Sequence, residues 1–382
     1  MFYKTQKKLA VLISALATTC LLIVPGCGSD SSSDTTETLS TTTMALATTT
    51  TMAPTTTTVT PEPVEKPLIV VTTNILGDVV SKAVGELFDV ETIMPPGADP
   101  HVFQASAKQV DRMMKADLLV VNGANFEEGL LDVIEGAESD GVKVFEAMNS
   151  VDPLEDHAKE EDHDDHAKEE DHDDHEGHDD HDDHDDHDDH EGHEGHDHHG
   201  HDHGGVDPHF FTDPGRMVQV VNQLSDFLVL NFPEINGEDL VSHMADYSKK
   251  LEALDAEVMQ TLSSIPESSR VLVTNHAVFA YFAESYDFKI LGTIIPSAST
   301  LSNASAKDLV DLAEEMKAEG VLAVFVDSSS SDALAEALAG ELDAVQVVTL
   351  FSESLGPEDS AGSTYIDMVR TNSELIANAL TG

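Results

Sequence analysis

From residue 68 onward, short aliphatic and β-branched runs alternate with amphipathic stretches. Leu68-Ile69-Val70-Val71-Thr72-Thr73 reads as a buried parallel strand, and Ile75, Val79, Val80 and Ala83 follow at helical spacing. A strand over Phe88–Met94, a helix over Ala105–Ala116, a strand over Asp117–Asn122, a helix around Phe126–Ala137 and a strand at Val142–Phe145 complete a first half. A helix from Pro214 to about Leu230 opens the next stretch. A longer amphipathic helix, Asp239–Leu262, carries Leu240, Met244, Tyr247, Leu251, Leu254, Val258 and Leu262 on one face. The alternation resumes with strands at Val271–Thr274, Phe288–Leu291, Val321–Val326 and Val345–Thr349, separated by helices. Strands alternating with helices imply βαβ units. The fold class is therefore α/β: two lobes, each with a mostly parallel sheet flanked by helices, joined by one long rigid helix. Ligands of such folds sit in the crevice at the carboxyl ends of the strands.

Composition changes this picture in one place. The 382 residues hold 73 Asp and Glu against 19 Lys and Arg, a formal charge of −54, which excludes nucleic acid or an anionic membrane surface as a partner of the folded part. Of that charge, −23 sits between Glu155 and His203, where 25 acidic residues face two lysines and 16 of the chain's 20 histidines. This block belongs to a low-complexity insert over residues 152–206. Asp and Gly are poor helix formers and like charges repel, so the insert reads as a disordered, exposed loop.

The amino terminus has the layout of an export signal. Lys4, Lys7 and Lys8 precede an apolar run from Leu9 to Val24, which ends at Val24-Pro25-Gly26-Cys27. The run is shorter than the roughly 20 residues of a spanning helix. A cysteine after a small residue resembles a bacterial lipoprotein signal, with residues 1–26 removed and Cys27 lipidated. Residues 27–67, rich in Ser, Thr and Pro, form a tether that as a flexible coil would span roughly 35 Å. The only other cysteine, Cys20, lies in the apolar run, so any metal in the folded part is held by nitrogen and oxygen.

Outside the acidic block only His101, His209, His243 and His276 remain. His101 lies in the loop Pro95–His101 after a strand, His209 stands just before a helix, and His276 directly follows Val271–Thr274. Glu353 follows the last strand. Three neutral imidazoles and one carboxylate suit a closed four-coordinate site for a borderline divalent ion, at distances near 2.0–2.2 Å for zinc. Asp99 and Asp207, each two residues before its histidine, are expected to hold the imidazoles from behind. His243 falls on the solvent side of the long helix and reads as surface.

The segments GADPHVFQASAKQV, DPHFFTDPGRM, VLVTNHAVFAYFAESYDFKILG and LFSESLGPEDSAGSTYIDMVRTN resemble, in order, the signature segments of the zinc- and manganese-binding receptors of bacterial ABC importers. The resemblance spans Leu68 to Gly382. It implies an N-terminal metal-binding lobe over residues 68–238, a linking helix over 239–265 and a C-terminal lobe over 266–382. It also implies metal ligation by His101, His209, His276 and Glu353, and a receptor that is not an enzyme. The implied partners are the divalent ion, an ABC permease and its ATPase, with the membrane met only through the lipid anchor of an extracytoplasmic monomer. Where such receptors often carry a Glu/Pro pair after the first histidine, this chain has Gln104 and Ala105. A histidine at the third position and a His-rich insert resemble the zinc type, and nitrogen-rich coordination favours Zn2+ over Mn2+, while the order of affinities leaves copper and nickel open.

The histidines of the insert (His157, His163, His166, His172, His175, His178, His181, His184, His187, His190, His193, His196, His198, His199, His201 and His203) read as a low-affinity metal loop. Release is expected through the loops bearing His209 or Glu353. The competing classes are a zinc hydrolase, which needs an open coordination position and a base, and a metal buffer or surface interaction protein. No HExxH motif is present.

Overall fold

A computed structural model describes residues 66–154, 205–342 and 344–381. Cys27 and the sixteen insert histidines lie outside these residues. The described part falls within one compact unit, Pro63–Gly382.

Two four-stranded sheets, parallel throughout, organise it. β1 (Leu68–Val71), β2 (Asp89–Thr92), β3 (Leu118–Val121) and β4 (Lys143–Glu146) lie in the order β2-β1-β3-β4. β5 (Val271–Thr274), β6 (Lys289–Thr293), β7 (Ala323–Asp327) and β8 (Gln346–Leu350) repeat that order as β6-β5-β7-β8. In each sheet the chain passes from one side of the first strand to the other. The reversal leaves a crevice beyond the carboxyl ends of the central strands.

Local chemistry sets the helix boundaries. Thr73 caps α1 (Asn74–Val84), its hydroxyl accepting from the Leu76 N–H. Ser106 and Gln109 form a reciprocal capping box that starts α2 at Ala107, and the helix runs only to Met113, shorter at both ends than the hydrophobic spacing suggests. The helix expected from Phe126 divides into a 3₁₀ turn, Glu128–Leu130, and α3 (Leu131–Ser139). The cause is upstream: Gly123, Ala124 and Asn125 all have positive φ, and Phe126 and Glu127 turn into the core. Asp213 caps α4 (Pro214–Asn231), whose first residue is the proline suited to that place.

α5 (Gly237–Leu262) connects the halves, and the apolar stripe from Leu240 to Leu262 is buried against α4, α1 and α9 (Tyr365–Thr381). α6 (Ala280–Tyr286), α7 (Ala306–Glu319) and α8 (Ala333–Gly340) flank the second sheet. One hydrophobic cluster runs from Ile69 through α5 to Leu380, so the two sheets share a core. α9 bridges both halves directly. The Tyr365 N–H donates to Asp78 Oδ2 on α1, and its hydroxyl donates to the Phe211 carbonyl.

Candidate metal centre

The side chains of the centre stand on loops at the carboxyl ends of the strands or before a helix, so the two sheets place them at the crevice. His101 follows β2, His209 precedes the turn into α4, His276 follows β5 and Glu353 follows β8. All four are buried, and one ligating atom from each lies within 4.8 Å of the others. The Nε2 atoms of His101, His209 and His276 approach one oxygen, Glu353 Oε1, at 3.0, 3.1 and 2.9 Å. The other oxygen, Oε2, is buried with no partner among the described residues. Phe126 presses edge-on against the rings of His101 and His209, with centroids 5.1 and 5.4 Å apart.

Neighbouring polar groups then orient three of these four. Asp207 Oδ1 lies 2.7 Å from His209 Nδ1 and accepts from the His209 N–H at 2.8 Å, so it sets both ring and backbone. Asp99 acts differently from the expectation. Its Oδ1 accepts the His101 N–H at 2.9 Å and its Oδ2 accepts the Thr300 hydroxyl at 2.8 Å, which ties the loop across the crevice. The His101 ring instead meets Glu128, with Nδ1 3.0 Å from Oε1. The turn at Asp99 leaves its carboxylate under the backbone, and the 3₁₀ turn at Glu128 fills the space behind the ring. That turn fits because Gly129 has no Cβ; one would lie 2.1 Å from the Phe103 carbonyl oxygen. His276 Nδ1 is buried without an acceptor among the described residues.

Glu353 is held through its backbone. Asp327 Oδ2, at the end of β7, accepts the N–H groups of Ser352 and Glu353 at 2.9 and 3.0 Å and the Ser352 hydroxyl at 2.6 Å. Asn74, the first residue of α1, donates to Ser354 Oγ and accepts from the Leu355 N–H. The Glu353 loop is thus fastened to both sheets. Sequence reasoning missed Glu128, Asp327 and Asn74. Only Asp327 carried a local signal, an acidic residue closing the apolar run Ala323–Val326.

The electrostatics describe a cluster that holds protons. Burial alone would lower the His101 pKa, but the Glu353 and Glu128 carboxylates outweigh it and push it up to about 10. Burial likewise opposes charge on His209, and Asp207 and Glu353 outweigh it to raise its pKa. For Glu353 burial favours the neutral acid, yet His276 and His101 hold it well below the usual carboxylate range. A divalent cation could replace those protons. With Asp207 and Glu128 accepting from Nδ1–H, His209 and His101 can offer Nε2 lone pairs, and the donor set of three nitrogens and one oxygen suits a zinc-like ion. His243 takes no part: it is exposed on α5, its ring packed over Gly85.

Comparison with known proteins agrees with this geometry. The family described as zinc-uptake complex component A, periplasmic, matches residues 69–379. The chain is 27% identical over 320 residues to the zinc-binding protein TroA of Treponema pallidum (strain Nichols), covering 82% of this chain and 89% of that protein. It is 26% identical over 321 residues to the manganese-binding lipoprotein MntA of Bacillus subtilis (strain 168), with 82% and 89% covered. The solved structure of the periplasmic zinc-binding protein TroA superposes with a TM-score of 0.64 at 25% identity, covering 83% of this chain and all of that one.

Proposed function

The chain belongs to the family of periplasmic component A proteins of zinc-uptake complexes, and from that premise we propose that it captures zinc at His101, His209, His276 and Glu353 and delivers it to an ABC permease. Members of this family are extracytoplasmic solute receptors of metal importers, not enzymes, so the hydrolase reading falls away. The observation that carries the choice of metal is the convergence of three buried imidazole nitrogens on one carboxylate oxygen, since manganese favours more oxygen ligands. A manganese-binding relative makes manganese the specific rival. Equilibrium titration of the metal-free protein with each ion separates them: the expected result is tighter zinc, and tighter manganese would contradict the assignment.

Residues 1–26 are an export signal, Cys27 takes the lipid and residues 27–67 hold the receptor off the membrane. Residues 68–238 and 266–382 form the two halves, with 239–265 as the link between them. The receptor acts as a monomer, and the permease works with a cytoplasmic ATPase. The insert at 152–206 is a low-affinity collector that feeds the tight site. Radiolabelled fatty acid should enter the wild type and not C27A; equal labelling would place the anchor elsewhere.

A further inference from the structure

A cavity of about 380 Å³ adjoins the metal centre, and His101 is the only one of the four proposed ligands that lines it. Its polar wall is Gln104, Asn125 and Glu128; Val102 and Leu301, 52% and 56% exposed, flank it. The His101 ring is the partition between the two spaces. Its Nε2 edge faces Glu353 inside, and its Nδ1 edge faces Glu128. The Glu128 side chain is 14% exposed and is braced by the Ser299 hydroxyl, which donates to Oε1 at 2.5 Å.

Resting on the receptor reading above, we propose that this vestibule is the route of metal exchange and that Glu128 is its capture ligand. The carboxylate takes the partly hydrated ion from solvent. Gln104 and Asn125 offer amide oxygens, hard donors of the kind that hold an ion still carrying water. The His101 ring then swings about a backbone that Asp99 keeps fixed, carries Nε2 to the ion and returns it to the other three ligands. The loops at His209 and Glu353 need not open. Asp207 and Tyr281 secure the first, and Asp327 and Asn74 the second.

The test is stopped-flow uptake of Co2+ by the full chain at low and high salt, read by the intense ligand-field absorption of a four-coordinate cobalt centre. E128Q keeps an oxygen for His101 and Ser299 but loses the charge. The expected result is an association rate about three- to tenfold slower at low salt, with the difference shrinking as salt screens the charge. A Lys at the rim, L301K, should also slow uptake and needs no change at the buried cluster. Unchanged association rates in both variants, or an E128Q effect found only in dissociation and insensitive to salt, would overturn the proposal and leave Glu128 as a positioning residue. Wild-type protein that develops no intense cobalt band would overturn the receptor reading with it.

Discussion

Three imidazoles share one carboxylate oxygen, yet their outer nitrogens have different fates. His209 is backed by Asp207, His101 by Glu128, and His276 by no acceptor among the described residues. Removing a backing carboxylate from a metal-binding histidine typically weakens binding 10- to 100-fold. D207N is therefore expected to weaken zinc binding by about that factor in competition with a chelator, and unchanged affinity would contradict the role given to Asp207. The titration of His101 has a definite sign. Its folded pKa is raised from 6.5 to about 10, so its contribution to metal-free stability is complete below about 6.5 and is lost as pH rises through about 10. An ion needs the neutral ring, so zinc affinity should rise with pH between about 7 and 10, with at least one proton released per ion at pH 7. Calorimetry in two buffers of different ionisation enthalpy measures that release, and identical heats would contradict it. The four residues that converge could be nominated from the sequence because each falls in a loop that follows a strand or precedes a helix, where local pattern suffices. Glu128 was not, because its partner is 27 residues away and the two meet only through packing of one loop on another.

At the scale of elements, the central strands β1, β3, β5 and β7 were legible because their buried aliphatic runs leave a continuous signal, and the half-exposed edge strands β2, β4, β6 and β8 were placed within a residue or two by the turns and helices around them. The stretch from Phe126 to Leu130 was not legible, because the chain enters it from positive φ at Gly123, Ala124 and Asn125 and turns Phe126 and Glu127 into the core, which delays the α-helix to Leu131. The most consequential element is α5. Leu251 is fully buried in its stripe, so L251A is expected to destabilise the protein by about 2–5 kcal/mol in urea unfolding. A smaller loss, under about 1 kcal/mol, would contradict the placement of that face in the shared core. Asn74 tests a different property, the fastening of the Glu353 loop to the first sheet. N74A removes the acceptor for the Leu355 N–H and the donor to Ser354, and should speed metal dissociation more than it slows association. An unchanged dissociation rate would mean that Asp327 alone suffices.

For the molecule as a whole, the repeated strand order makes two half-sites, and the shared core holds them face to face around one buried cluster. The acidic block leaves this body at a closed neck. The Asp207 N–H donates to the Leu154 carbonyl at 2.9 Å, and the Tyr281 hydroxyl donates to the Asp207 carbonyl and accepts from the Leu154 N–H. Because that neck is already closed, deletion of Glu155–His203 should leave the fold intact and lower the number of bound ions while one tight site remains. Loss of the tight site would contradict the division of labour between block and body. The most direct test of the centre is the anomalous scattering of a zinc-loaded crystal. One strong peak is expected about 2.0–2.2 Å from Nε2 of His101, His209 and His276 and from a Glu353 oxygen; a peak elsewhere, or one without these side chains around it, would contradict the assignment of this centre.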